Sequence, residues 1–288
     1  MKKIIAFIIF LCTQVHASQT VPIIWAFSPA SNQANALRVI IDNANKAQTK
    51  YNFVFEHKPG AGGSIAVNHL IRSSSPTLLM MSTTIFTRPY YYRNQSYDVN
   101  DIQPVVIAST NSPIAILSTK FTSIEDIKNN SVKIGIVQGS ITESVAKALQ
   151  NNLNSEVILV PYQASINATN DLMGGHIDAS VEFIKDSIPW VESNKANIIG
   201  ITGSTQIDKY KTLSTQSISG TENLISNYYV VANKSITNNM LKEFHEIITS
   251  AMIQDNVIEV WKGDYAKTTK RTYQQTLEFW NNQKQFWK

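Results

Sequence analysis

The 288-residue sequence predicts an α/β architecture with mainly parallel sheets. Three observations carry that prediction. Short apolar segments alternate with stretches whose apolar residues recur at three- and four-residue spacing, the pattern of βαβ units. Loops rich in Gly, Ser and Pro stand between a strand and the next helix, as at Pro59-Gly60-Ala61-Gly62-Gly63 and Gln138-Gly139-Ser140. Residues 77–81 form an unbroken apolar run, as expected of a strand covered on both faces.

In chain order, residues 21–27 read as a strand. Ser28-Pro29-Ala30-Ser31 leads from it into a helix whose Ala34, Leu37, Ile41 and Ala44 share one face. Residues 52–56 alternate as a second strand, the glycine loop breaks it, and a helix follows over 65–71. After the strand at 77–81, residues 133–137 form another strand, and Gln138-Gly139-Ser140 opens a helix reaching about residue 153. Strands follow at 157–160, before Pro161-Tyr162, and at 198–202 and 228–232. The end, 265–288, reads as helical, with Leu277, Trp280, Lys284 and Trp287 at helical spacing.

The first residues have a different purpose. Met1-Lys2-Lys3, nine apolar residues over 4–12 and the small-residue site Val15-His16-Ala17 predict a cleavable signal peptide over 1–17 and export to the periplasm. Nine apolar residues are too few to span a bilayer, which takes ~20. The one cysteine, Cys12, leaves with that peptide, so disulfides, thiolate metal sites and a cysteine nucleophile are not expected in the mature chain. With 43% apolar and 16% charged residues the chain has enough to bury, which excludes intrinsic disorder. The net charge of +4 is spread along the chain without a basic stripe, which excludes nucleic acid as a partner.

Glycines between a strand and a helix let a backbone approach a ligand and aim N–H groups at it. The loop Pro59-Gly60-Ala61-Gly62-Gly63-Ser64 fits that use, and equally fits a tight turn with a glycine cap. It is not a phosphate-binding P-loop, since no Gly-Lys-Ser/Thr follows, and Ile65 stands where a dinucleotide fingerprint needs its third glycine. Ser140 and Glu143 have capping-box spacing, while the same helix start offers donors to an anion. Catalytic constellations are missing: there is no G-x-S-x-G, and His245-Glu246 lacks the second histidine of H-E-x-x-H. His57, His69, His176 and His245 are scattered singly, and no metal site is expected. Asp171 and Asp178, on either side of Gly174-Gly175, read as structural.

Four segments in order resemble the substrate-binding receptors of tripartite tricarboxylate transporters, the Bug-type proteins. Phe55-Glu56-His57-Lys58-Pro59-Gly60-Ala61-Gly62-Gly63 is similar to that family's N-K-P-G-A-G-G segment, and Thr77-Leu78-Leu79 to its Y-T-L-L strand. Asp101-Ile102-Gln103-Pro104-Val105 resembles D-F-x-P-V. Val160-Pro161-Tyr162 with Asp171-Leu172-Met173-Gly174-Gly175-His176-Ile177-Asp178 resembles V-P-Y-K-G followed by D-L-x-x-G-x-V-D.

The resemblance implies a type II periplasmic-binding-protein fold: two Rossmann-like lobes with a ligand cleft between them. The first lobe is expected over 18–118, the second over 119–226, and a return to the first over 227–288. It further implies a monomeric receptor, neither enzyme nor cofactor carrier, which hands a small organic solute, usually a carboxylate, to inner-membrane transporter subunits. A sensor presenting its solute to a membrane kinase is the alternative, and a secreted hydrolase lacks the motif it would need. The implied ligand loops are Phe27, Ser28, Ala30 and Ser31; Ala61, Gly62 and Gly63; Ser82 and Thr83; Gln138, Gly139, Ser140 and Thr142; Gln163 and Ala164; and Glu182. Three departures stand out. Ala30-Ser31 replaces a Gly-Gly pair, Ala34 an aspartate, and Glu143 falls at the family's histidine. They leave an amide-bearing, zwitterionic or cationic solute open.

Overall fold

The computed structural model describes residues 18–288 apart from 93, 95, 96, 129, 154, 204–206, 208 and 214–217. The expected signal peptide lies outside the described residues. The chain begins with β1 (Gln19–Trp25), α1 (Asn32–Ala47), β2 (Tyr51–His57), α2 (Ser64–Arg72), β3 (Leu78–Ser82), α3 (Thr84–Tyr91) and β4 (Ile102–Ser112). It continues through β5 (Ile114–Ser118), β6 (Val132–Val137), α4 (Ile141–Asn152), β7 (Val157–Tyr162), α5 (Ser165–Met173), β8 (Ala179–Phe183), α6 (Ile184–Glu192) and β9 (Asn197–Ile201). It closes with β10 (Ser226–Asn233), α7 (Asn238–Met252), α8 (Asp255–Lys262) and α9 (Tyr273–Phe286).

These elements make two lobes, each around a five-stranded sheet, ordered β2-β1-β3-β10-β4 and β7-β6-β8-β5-β9. Neither sheet is mainly parallel throughout. β1 runs parallel to β2 and β3, but β10 is antiparallel to β3 and β4. In the second sheet β6 is parallel to β7 and β8, and β5 is antiparallel to β8 and β9. The antiparallel strands are those on which the chain passes between lobes.

The first passage lies earlier than expected. β4 of the first sheet ends at Ser112 and β5 of the second begins at Ile114, so the boundary drawn at residue 118 moves to Pro113. Asn111 makes the bend with φ 66°, and its N–H is held by the Asn227 side chain on the returning strand at 3.1 Å. Two chain passages are thereby tied side by side, which is the construction of a hinge.

The sheet of the first lobe is packed on both faces, since successive strand side chains point to opposite sides. Tyr228 packs with Trp25, Phe53, Phe244 and Trp261 against α1, α7 and α8, whereas its neighbour Tyr229 packs with Phe86 and Trp280 on the other face. Every residue of β3, β5 and β10 is buried. Residues 265–272 are not helical: Tyr265 has φ 51°, Lys267 bridges to Thr110, and α9 starts only where Thr272 and Gln275 form a capping box.

α3 departs most from simple helix rules, because Pro89 stands inside it. Proline removes the N–H that would bond the carbonyl four residues back. Here that carbonyl, on Ile85, receives the buried Tyr97 hydroxyl at 3.0 Å. The proline is tolerated, and α3 carries its side chains across to the second lobe.

Candidate functional site

The glycine loop bends through a run of left-handed residues: Gly60 (φ 119°), Ala61 (φ 48°), Gly62 (φ 60°) and Gly63 (φ 89°). A Cβ on Gly63 would lie 2.5 Å from Met81 Cε, so close packing as well as φ demands glycine there. The loop delivers the N-terminus of α2 to the edge of the first lobe. Facing it from the second lobe is Gln138-Gly139-Ser140, with Gly139 at φ 76° and Ser140 capping α4 by accepting the Thr142 N–H. A Cβ on Gly62 would fall 3.2 Å from the Gln138 carbonyl oxygen, so the two loops meet across the interlobe gap.

Three residues of or beside α3 complete the junction. Thr87 donates to the Gly139 carbonyl at 2.8 Å, and Arg88 Nη1 donates to the Gln138 carbonyl at 3.1 Å. The Tyr92 hydroxyl donates to Glu143 Oε2 at 3.0 Å. Glu143 does not close the expected capping box, because the Ser140 N–H bonds to the Val137 carbonyl instead. Its carboxylate reaches one residue further, accepting the Gly139 N–H at 2.7 Å, and pairs with Lys147 at 2.8 Å. Thus Glu143 braces the loop from behind while its charge is met by Lys147. None of Thr87, Arg88 or Tyr92 is prominent in the sequence, since an isolated Arg before Pro89 and a tyrosine run carries no motif.

The remaining expected site residues divide by exposure. Ser28, Ala30, Ala61, Gln138, Gln163 and Ala164 are exposed and Phe27, Ser31 and Gly62 half-buried. Ser31 caps α1 by accepting the Ala34 N–H at 3.2 Å. Beside it Asn32 and Gln33 donate to the buried carboxylate of Asp264, whose pKa burial pushes up to about 6. The side chains of the buried residues serve the scaffold. Ser82 donates to Thr84, Thr83 donates to the Ile225 carbonyl and accepts the Asn227 N–H, and Ser140 and Thr142 bond to Val137. Glu182 is fully buried under α5, accepting from Thr169 at 2.9 Å. Gln163 and Ala164 make no hydrogen bond to the first lobe among the described residues. No group of three or more His, Cys, Asp or Glu is placed to hold a metal among them either, and no described helix is long and apolar enough to cross a membrane.

Comparison with known proteins agrees with this architecture. The solved structure "R. palustris Rpa4515 with adipate" superposes with a TM-score of 0.81 at 17% identity, over 93% of this chain and 95% of that one. "MatC (Rpa3494) from Rhodopseudomonas palustris with bound malate" superposes with a TM-score of 0.78 at 15% identity, over 93% and 97%. At such identities the likeness shows a common two-lobed periplasmic-binding-protein fold. Among curated sequences, the "UPF0065 protein in tcbD-tcbE intergenic region" of Pseudomonas sp. (strain P51) is 23% identical over 194 residues. That alignment covers 63% of this chain, and the chain spans 58% of that relative's length. The pattern described as "Tripartite tricarboxylate transporter family receptor" matches residues 36–288. By that match the chain belongs to the tripartite tricarboxylate transporter receptor family.

Proposed function

We propose that the protein is a periplasmic solute receptor, active as a monomer, that captures a small organic carboxylate between its lobes and presents it to inner-membrane transporter subunits. The observation that carries the reading is the meeting of two glycine loops at the starts of α2 and α4, one from each lobe, around an arginine. Helix N-termini favour anions through the helix dipole, and two of them facing one gap suit a solute gripped from both sides. The relatives' ligands, adipate in one and malate in the other, belong to the same chemical class. Glu143, the departure that speaks most strongly against an anion, is answered by Lys147 and the Gly139 N–H and leaves the gap without net negative charge.

Mass spectrometry of solute retained after gentle purification, followed by calorimetry with a panel of two- to six-carbon carboxylates, tests the reading. A retained organic acid, or micromolar binding of a panel member, is expected. Retention of a cationic or neutral solute with no binding of any carboxylate would overturn it.

A further inference from the structure

Arg88 stands out because, among the described residues, its charge has no ion-pair partner. Only 8% of the residue is exposed. Its guanidinium fills the gap between the two loops: Nη1 lies 2.8 Å from where a Cβ of Gly62 would be and 2.8 Å from where one of Gly139 would be. Nη1 bonds one carbonyl, that of Gln138, the group lies 4.9 Å over the Tyr92 ring, and Nε is buried with no acceptor. Among the described residues no carboxylate lies within ion-pair distance of it. The carboxylate of Glu143 is taken up by Lys147, the Gly139 N–H and Tyr92.

Arg88, Lys147 and Glu143 together therefore carry one net positive charge, and the N-termini of α2 and α4 add to it. A buried guanidinium without a counter-charge is unfavourable, and its planar fork of donors matches a carboxylate. We infer that Arg88 is the specificity-determining residue of the cleft, binding a carboxylate of the solute from the gap between the glycine loops. It admits organic anions and rejects amides of the same shape, as well as solutes presenting an ammonium group there. The inference rests on the receptor function proposed above and adds to it a side chain that reads charge.

The competing role is a strut that only holds the lobes together, and it makes a different forecast. A strut lost would weaken every solute alike, whereas a charge reader lost would weaken carboxylates selectively. Calorimetry on the full protein with adipate and its uncharged diamide, comparing wild type, Arg88→Gln and Thr87→Val, separates them. Wild type is expected to bind adipate and not the diamide. Arg88→Gln should lose about 10- to 150-fold for adipate, the worth of hydrogen bonds to a charged group, with the preference over the diamide shrinking as much. Thr87→Val, which removes another bond between lobes but no charge, should weaken adipate modestly and keep the preference.

Unchanged adipate affinity in Arg88→Gln, or an equal loss for both probes, overturns the inference. If Arg88→Gln does not fold, the 15N resonance of Arg88 Nε in the wild type, assigned against Arg88→Lys, replaces it. A shift on adding adipate supports a direct contact, and a signal unmoved at saturation overturns it. Should wild type bind no carboxylate of the panel, the receptor reading itself fails and takes this inference with it. Adipate binding with an indifferent Arg88 would sink the inference alone.

Discussion

At Glu182, burial sets the chemistry. Its carboxyl is fully enclosed, burial pushes its pKa from the ordinary 4.5 up to about 8, and Thr169 and other hydroxyls only partly oppose the shift. A folded state that holds a proton more tightly than the unfolded chain is favoured while both are protonated. The contribution is complete below about pH 4.5 and is lost as pH rises towards 8. Glu182→Gln should flatten that dependence, so its melting temperature should exceed the wild type's increasingly across this window. Parallel melting curves in both proteins would count against a neutral Glu182. Glu143 is the opposite case, a carboxylate whose side chain is 6% exposed but fully provided with partners. Glu143→Gln loses the ion pair and retains one acceptor for two donors, so a loss of about 1–3 kcal/mol is expected in urea denaturation. A loss of only a few tenths would mean that it acts as a simple helix-end residue.

Among the elements, the glycine loop and α3 show what a sequence displays and what it conceals. The loop was legible because Gly60, Gly62 and Gly63 interrupt a strand-to-helix passage, and left-handed backbone is what such glycines allow. β3 was equally plain, since five consecutive buried residues leave no polar alternation to misread. α3 was not, because Pro89 and its threonines contradict helix propensity, and the Tyr97 hydroxyl that rescues it comes from outside the element. Arg88 and Thr87 therefore had no recognisable setting in one dimension. The β4–β5 boundary was hidden for another reason: the strand character runs on through Pro113, and only the change of pairing partners marks the passage. The loop also offers a comparison within one protein. Gly62 and Gly175 have similar φ, 60° and 74°, but a Cβ on Gly175 meets nothing within 4 Å. Alanine at either position should cost about 1–2 kcal/mol of backbone strain. Only Gly62→Ala should also weaken binding of the solute retained by the purified protein, because its methyl group presses on Gln138 and Arg88. Equal affinities in the two variants would make the glycine loop a turn and nothing more.

For the molecule as a whole, the question is what keeps together two lobes joined by two chain passages. Thr87, Arg88 and Tyr92 reach across on one side, and Trp287 packs against apolar clusters of both lobes at the end of the chain. Under the proposed receptor function, such contacts would bias an equilibrium between open and closed forms, and a solute held by both lobes would draw on the same equilibrium. Apparent affinity then scales with the fraction already closed. Thr87 is fully buried, and its bond to the Gly139 carbonyl exists only while the lobes are together. Replacing it with valine keeps the shape and removes the donor, worth about 0.5–1.5 kcal/mol, so the balance should move about 2- to 12-fold towards the open form. Small-angle X-ray scattering should show a larger radius of gyration for solute-free Thr87→Val than for wild type, and the same radius for both at saturation. The affinity for every solute should fall by no more than the same factor, since the closed form is unchanged. A variant with the wild-type radius and affinity would place the control of closure elsewhere, in the hinge at Pro113 or at Trp287.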